Sequence, residues 1–171
     1  MLTELTKNII EYQGIKGLPE YYPTPCDNEL LLFFIQRNLN TNTVIYELNL
    51  GETGQINEES PIKIYWIKYS EGGHKKSLNY IQKTLAYGYN SKKISNELFE
   101  FQIVSYDKIK FYLDVSNGQN VVMTKLNDEL VELSNIYVFA DEVGVFPEVK
   151  YVELYGMSKD SILPVYQKIT F

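Results

Sequence analysis

Four strand-length runs, residues 98–105, 108–116, 119–126 and 129–139, follow one another with only two residues between each pair: Tyr106-Asp107, Asn117-Gly118 and Asn127-Asp128. Asn-Gly is the strongest two-residue hairpin signal, because the tight turns that match strand twist need positive φ at their central residues. Within the second run Ile109, Phe111, Leu113 and Val115 alternate with Lys110, Tyr112, Asp114 and Ser116. A period of two puts the apolar set on one face. The stretch therefore reads as an antiparallel meander with one buried face.

The flanks extend this pattern. Residues 30–38 form a strand that is apolar on both faces until Gln36 and Arg37, as expected of a central or doubly covered strand. An asparagine-rich turn at 38–42 leads to a second strand at 43–50, so these two make a hairpin. After a polar loop, residues 61–69 form a third strand that stops at Gly72 and Gly73. Leu78, Ile81 and Leu85 then recur at helical spacing before Gly88, which predicts one core helix over about 75–87 with glycine just past its end. The last strands are 149–155 and 164–171. At the other end, Leu5, Ile9 and Tyr12 predict a short amphipathic helix, and YYPTP at 21–25 is an extended arm, because each proline disfavours helix in its predecessor. The expected architecture is mainly β: an antiparallel β-barrel or strongly bent β-sandwich of about 8–10 strands around one core helix. The expected organisation is one domain over 1–171, with 1–29 as an N-terminal helix and extended arm packed on it.

Composition excludes several function classes. A hydrophobic share of 44% suffices for a core without metal or disulfide staples. The net charge of −6, with no basic block to offset it, disfavours nucleic acid and anionic lipid as partners. The longest apolar run, 30–35, is too short to cross a bilayer, so no integral membrane segment is expected. The N-terminus carries acids and no long apolar stretch, unlike a signal peptide. The expected compartment is cytoplasmic for the sequence as it stands, or outside if a targeting segment has been removed.

The segments FFIQRNLNTNTVIYELN, PIKIYWIKYSEGGHKKSLNYIQKTLAYGY, FEFQIVSYDKIKFYL and KYVELYGM, in that order, resemble a bacterial family known as domain of unknown function 4833. The likeness runs from about Phe33 to Met157. It implies a shared fold and supplies no activity, cofactor or catalytic residue. Members often begin with an export signal, which the first residues of this sequence do not resemble, and often carry arginine where this chain has Lys68.

The chemistry available is narrow. His74 and Cys26 are the only histidine and cysteine, so no zinc or iron set can be assembled from them. The acidic stretch 47–59 lacks the spacing of a helical calcium loop. Cys26 in PTPCDN has no adjacent base, and no phosphate-loop, dinucleotide or serine-elbow motif occurs, so no cofactor or catalytic residue is assigned. Glu153, amid aromatics, reads as a strand glutamate paired with a lysine such as Lys150 or solvated.

Arg37 is the most informative residue, the one arginine among 16 basic side chains. Its planar fork binds carboxylates or phosphates through two parallel bonds, a geometry lysine does not offer. It adjoins Asn38, Asn40 and Asn42, which are either pocket donors and acceptors or satisfiers of turn backbone. On the third strand Ile64, Trp66 and Lys68 share one face, while Tyr65, Ile67 and Tyr69 share the other. The function expected is non-catalytic binding of a small polar or anionic ligand or a protein partner. The candidate residues are Arg37 for charge, Asn38, Asn40 and Asn42 for hydrogen bonds, and Trp66, Tyr69 and Tyr80 for apolar contact. A hydrolase with a carboxylate or arginine site in the same cleft is one alternative. A protein-interaction module using a strand edge or the YYPTP arm is another. Oligomeric state is open.

Overall fold

A computed structural model describes residues 22–38, 40–141 and 147–171. The expected helix at 3–12 lies outside the described residues. Eleven strands form one sheet. They are β1 (Leu31–Arg37), β2 (Thr43–Leu48), β3 (Ile62–Lys68), β4 (His74–Ser77), β5 (Tyr89–Ser95), β6 (Leu98–Ile103), β7 (Tyr106–Asp114), β8 (Val121–Leu126), β9 (Glu129–Asp141), β10 (Glu148–Ser158) and β11 (Pro164–Thr170). The main path runs β4-β3-β2-β1-β9-β8-β7-β6-β5, with β10 and β11 added beyond β9. It curls into a half-barrel.

Hairpin chemistry sets most of the pairing. Asn127 and Asp128 both adopt positive φ between the paired Leu126 and Glu129, a two-residue turn as expected. Asn117 and Gly118 also have positive φ, but their turn closes from Ser116 to Gln119, and β7 and β8 pair only from Asp114 and Val121 outward. The third turn falls at Val104-Ser105 and not at Tyr106-Asp107: Ile103 pairs with Tyr106, so the aromatic residue joins the strand.

The sheet is mixed rather than purely antiparallel, because β1 runs parallel to β9, with Phe34 opposite Asn135 and Arg37 opposite Val138. One edge of β9 is shared: β8 pairs with residues up to Glu132 and β1 takes over from Asn135, while β10 pairs along the opposite edge. The change of neighbour falls at a register shift, where Leu133 opposes Gly156 and Asn135 opposes Tyr155. A side chain at Gly156 would meet the Glu132 carbonyl oxygen at 2.6 Å, so the shift needs glycine. From this point two wings, β1–β4 and β5–β8, face each other. Phe33 of β1 stacks against Phe101 of β6 and Phe111 of β7, with ring centroids 6.3 and 6.2 Å apart. Fully burying a side chain of this size contributes roughly 1.5–3 kcal/mol. The wings are stitched where the Tyr89 hydroxyl of β5 donates to the Ile62 carbonyl of β3 (2.7 Å) and accepts from its N–H (2.9 Å).

The outer face of β1, β2, β9 and β10 is buried too. The described part of the arm lies across it: Tyr22 packs edge-on against Tyr137, the Gln36 amide donates to the Pro23 carbonyl at 2.7 Å, and the Asn28 amide donates to Glu47 at 2.8 Å. Glu153 is buried on this side and accepts from the Tyr155 hydroxyl at 3.0 Å. It is neither solvated nor paired with Lys150, whose ammonium joins Asp141 and Glu148.

The core helix expected over 75–87 is shorter and more exposed. Residues 74–77 are the edge strand β4, and the helix α1 (Tyr80–Gln82) passes directly into a π-helical turn, Lys83–Tyr87. Asn79 and Gln82 form a reciprocal capping box that fixes the start. Ile81 and Leu85, whose spacing marked a core face, are 65% and 69% exposed.

Candidate functional site

The wings meet at one end and stay apart at the other, leaving a cavity of about 630 Å³. Its mouth is bounded by the ends of β1 and β3, by α1 with its π-turn, by the β6–β7 turn and by the start of β10. Ile103, Phe111, Ile136, Val152 and Leu154 supply an apolar interior. Among the described residues of the wall there is no carboxylate, histidine or cysteine, whereas Arg37 and Lys68 are both present.

These two cations belong to one aromatic cluster. Strand alternation brings Trp66 and Lys68 to the inner face of β3, and the Lys68 ammonium sits 4.5 Å from the Trp66 ring centroid. Such a cation over an indole face is attracted by the ring quadrupole. Lys68 takes part in no ion pair among the described residues. Tyr87 packs edge-on against Trp66, with centroids 5.4 Å apart. Burial pushes the Tyr87 hydroxyl pKa up, and the Arg37 guanidinium, hydrogen-bonded to that hydroxyl, acts against the shift. The Tyr87 carbonyl accepts from the buried Tyr46 hydroxyl at 2.6 Å, which ties the π-turn to the core. Trp66 Nε1 donates to Gln82 Oε1 at 3.2 Å, and the same oxygen accepts from the Asn79 N–H, so the helix cap is also a fixture of the site.

Of the seven expected site residues, Arg37, Asn40, Asn42 and Trp66 line the cavity. Asn38, Tyr69 and Tyr80 do not. Asn38 is buried and clamps Ala140, donating to its carbonyl at 2.7 Å and accepting from its N–H at 2.8 Å. Tyr69 lies off the strand, half-buried near Tyr65 and Cys26 on the side of the arm, where burial and then Cys26 push its pKa up. Tyr80 is 82% exposed, because it faces away at the first helical position. Within the lining, Asn42 Oδ1 accepts from the Ser70 N–H and hydroxyl, and Asn40 Oδ1 accepts from the Asn42 N–H. The amides satisfy turn groups, and Asn40 and Asn42 also edge the mouth. His74 lies on β4, with Nδ1 3.2 Å from the Glu71 carbonyl and Nε2 3.8 Å from its carboxylate.

Residues 33–168 match the family described as Domain of unknown function (DUF4833). The chain belongs to that family. No curated protein and no solved structure matches it. The DUF4833 match spans most of β1, all of β2 to β10 and most of β11, so it covers every described residue of the cavity wall. No helix among the described residues of this DUF4833 chain is long and apolar enough to cross a membrane.

The site also contains residues that sequence reasoning passed over. Ile81 and Leu85 were expected on a core helix face and Tyr87 at the helix end, and their place in the wall follows from the π-turn. Ile136 and Val138 face inward only because the register shift moves β9 out of the alternation set by Val131 and Leu133. A sequence signal available for Gln82 is its three-residue spacing from Asn79, the capping pair that also reaches Trp66.

Proposed function

We propose that this domain binds a small ligand carrying an anionic group, which enters the cavity and is held by Lys68 and Arg37. The observation that carries this reading is the Lys68 ammonium, stationed on the Trp66 face at the wall and engaged in no ion pair among the described residues. A partly desolvated cation on an aromatic face gains most when an anion completes its surroundings. Arg37 adds a planar fork held in place by Tyr87. A hydrolytic site would need two convergent carboxylates, and no observation at the wall favours one. A partner adding to the sheet would meet Lys75 and Lys76 on β4 and Pro164 and Lys168 on β11, residue types that blunt strand edges.

The test is a thermal-shift screen of the purified chain against anionic metabolites, followed by calorimetry of hits. Binding weakened about tenfold in Lys68→Gln, with the melting temperature of the free protein unchanged, is the expected result. A hit that binds Lys68→Gln as tightly as the parent, or the absence of any anionic hit, overturns the reading.

A further inference from the structure

We infer that the ligand is amphipathic: a single aliphatic chain with an anionic head, the chain running along the apolar wall and the head at the Lys68–Trp66–Tyr87–Arg37 cluster. This deepens the proposed anion site and rests on it. Three observations carry it.

The charged groups of the wall gather in one cluster. Lys68, Gln82 and Tyr87 each contact Trp66, and Arg37 joins them through Tyr87, whereas Ile103, Phe111, Ile136, Val152 and Leu154 give an apolar interior. A small, fully hydrated anion such as phosphate would leave that interior unused and lose water against it. The cavity, at about 630 Å³, lies within the roughly 300–1,000 Å³ span of small-molecule sites.

Ile81 and Leu85 show where the chain would go. They are four residues apart on one side of the helical segment, both line the cavity, and both are mostly exposed. Large apolar side chains left to solvent at the lip of an apolar cavity gain by being covered. A chain extending from the head toward the mouth would cover both, which a compact polar ligand would not.

The wall is also electrostatically one-sided. Its charged described members are Arg37 and Lys68 alone, in a chain with 22 acidic residues and a net charge of −6. The described acids lie off a wall that an anionic head would approach.

The experiment is calorimetry of the full chain with straight-chain carboxylates of about six to fourteen carbons, kept below their micelle concentrations. Alkyl phosphates, matched alkanols, and sulfate, phosphate and citrate form the other arms. Affinity is expected to rise about fourfold per methylene until the cavity is filled. Alkanols are expected to bind about tenfold more weakly than carboxylates of equal length, a gap that Lys68→Gln closes. Whichever head binds more tightly, carboxylate or phosphate, names the source chemistry. Leu85→Ser, at a position too exposed to threaten the fold, is expected to flatten the chain-length dependence. Sulfate, phosphate or citrate binding as tightly as the long chains overturns the amphipathic ligand and leaves the anion site standing. Alkanols binding as tightly as carboxylates overturns the anionic head and with it the anion site. No binding in any arm overturns both.

Discussion

The Asn38 side chain replaces a missing strand neighbour for Ala140, taking both of its backbone groups: Nδ2 donates to the Ala140 carbonyl at 2.7 Å and Oδ1 accepts from its N–H at 2.8 Å. β1 pairs with β9 only as far as Val138, so without Asn38 the buried Ala140 would have no partner on that edge. Leaving a buried donor and a buried acceptor unmet is costly. Asn38→Ala is expected to destabilise the domain by roughly 2–4 kcal/mol. Urea denaturation checks this, and a loss near zero would mean that Ala140 finds other partners.

Gly88 is required for closeness and not for a left-handed turn. Its φ is −63°, but a Cβ there would lie 1.9 Å from the Lys83 carbonyl oxygen, the acceptor end of the π-turn. Gly88→Ala is expected to force the turn open, at a stability loss of roughly 1–3 kcal/mol. It should also weaken ligand binding, because Leu85 and Tyr87 would be displaced from the wall. Melting curves and the chain-length series read the two effects separately. A variant that melts with the parent would show that the turn absorbs a methyl group.

These two residues mark what the sequence discloses. Local rules are visible in it: the pair Asn127-Asp128 led directly to the β8–β9 turn, and the alternation through Phe111 and Leu113 to the buried face of β7. Asn38 did not disclose itself, because its partner is 102 residues away and a turn asparagine looks the same whether it caps a loop or clamps a strand. The parallel join of β1 to β9 was hidden for the same reason, since hairpin signals report only neighbours in sequence. The helix was misread because Ile81 and Leu85 obey helical spacing whether the face they make is covered by protein or left at a cavity mouth. Arg37 and Trp66, singled out as a lone arginine at a strand end and an inward tryptophan, both stand on the cavity wall. Lys68, the residue on which the binding proposal rests, shares a strand face with Trp66 in the sequence pattern, but its place over the indole ring came only with the structure.

Glu47 gives the fold an acid-sensitive contact. It accepts from the Tyr65 hydroxyl at 2.6 Å and from the Asn28 amide at 2.8 Å, linking the arm to β2 and β3. Burial pushes the Glu47 pKa up, but the bonds from Tyr65 and Asn28, with Lys75 and Lys63 nearby, outweigh it and hold the carboxyl below its ordinary value. A carboxylate depressed in this way stabilises the fold above the unfolded pKa, about 4.3, and the contribution is lost as pH falls through the lower, folded value. The stability gap between the parent and Glu47→Gln is therefore expected to be largest near neutral pH and to shrink below about pH 4. Denaturation midpoints across that range test it. A gap that widens on acidification would reverse the sign and exclude Glu47 as a stabilising carboxylate.

Asn135 is the converse of Asn38. It is 1% exposed on β9, facing the tyrosine-rich outer surface, and among the described residues neither Nδ2 nor Oδ1 has a hydrogen-bond partner. Phe34 and Tyr155 are its strand neighbours on either side. A buried amide without partners loses its hydration and regains nothing. An apolar residue of similar size removes that cost and keeps the packing. Asn135→Leu is thus expected to stabilise the domain by about 1–2 kcal/mol, where most buried substitutions destabilise. Asn135→Asp, which adds charge at the same place, is expected to destabilise it by more than that margin. The paired measurement in urea is decisive: if Asn135→Leu lowers the midpoint while leaving the denaturant slope unchanged, the amide is serving a polar contact that the strand geometry alone does not supply.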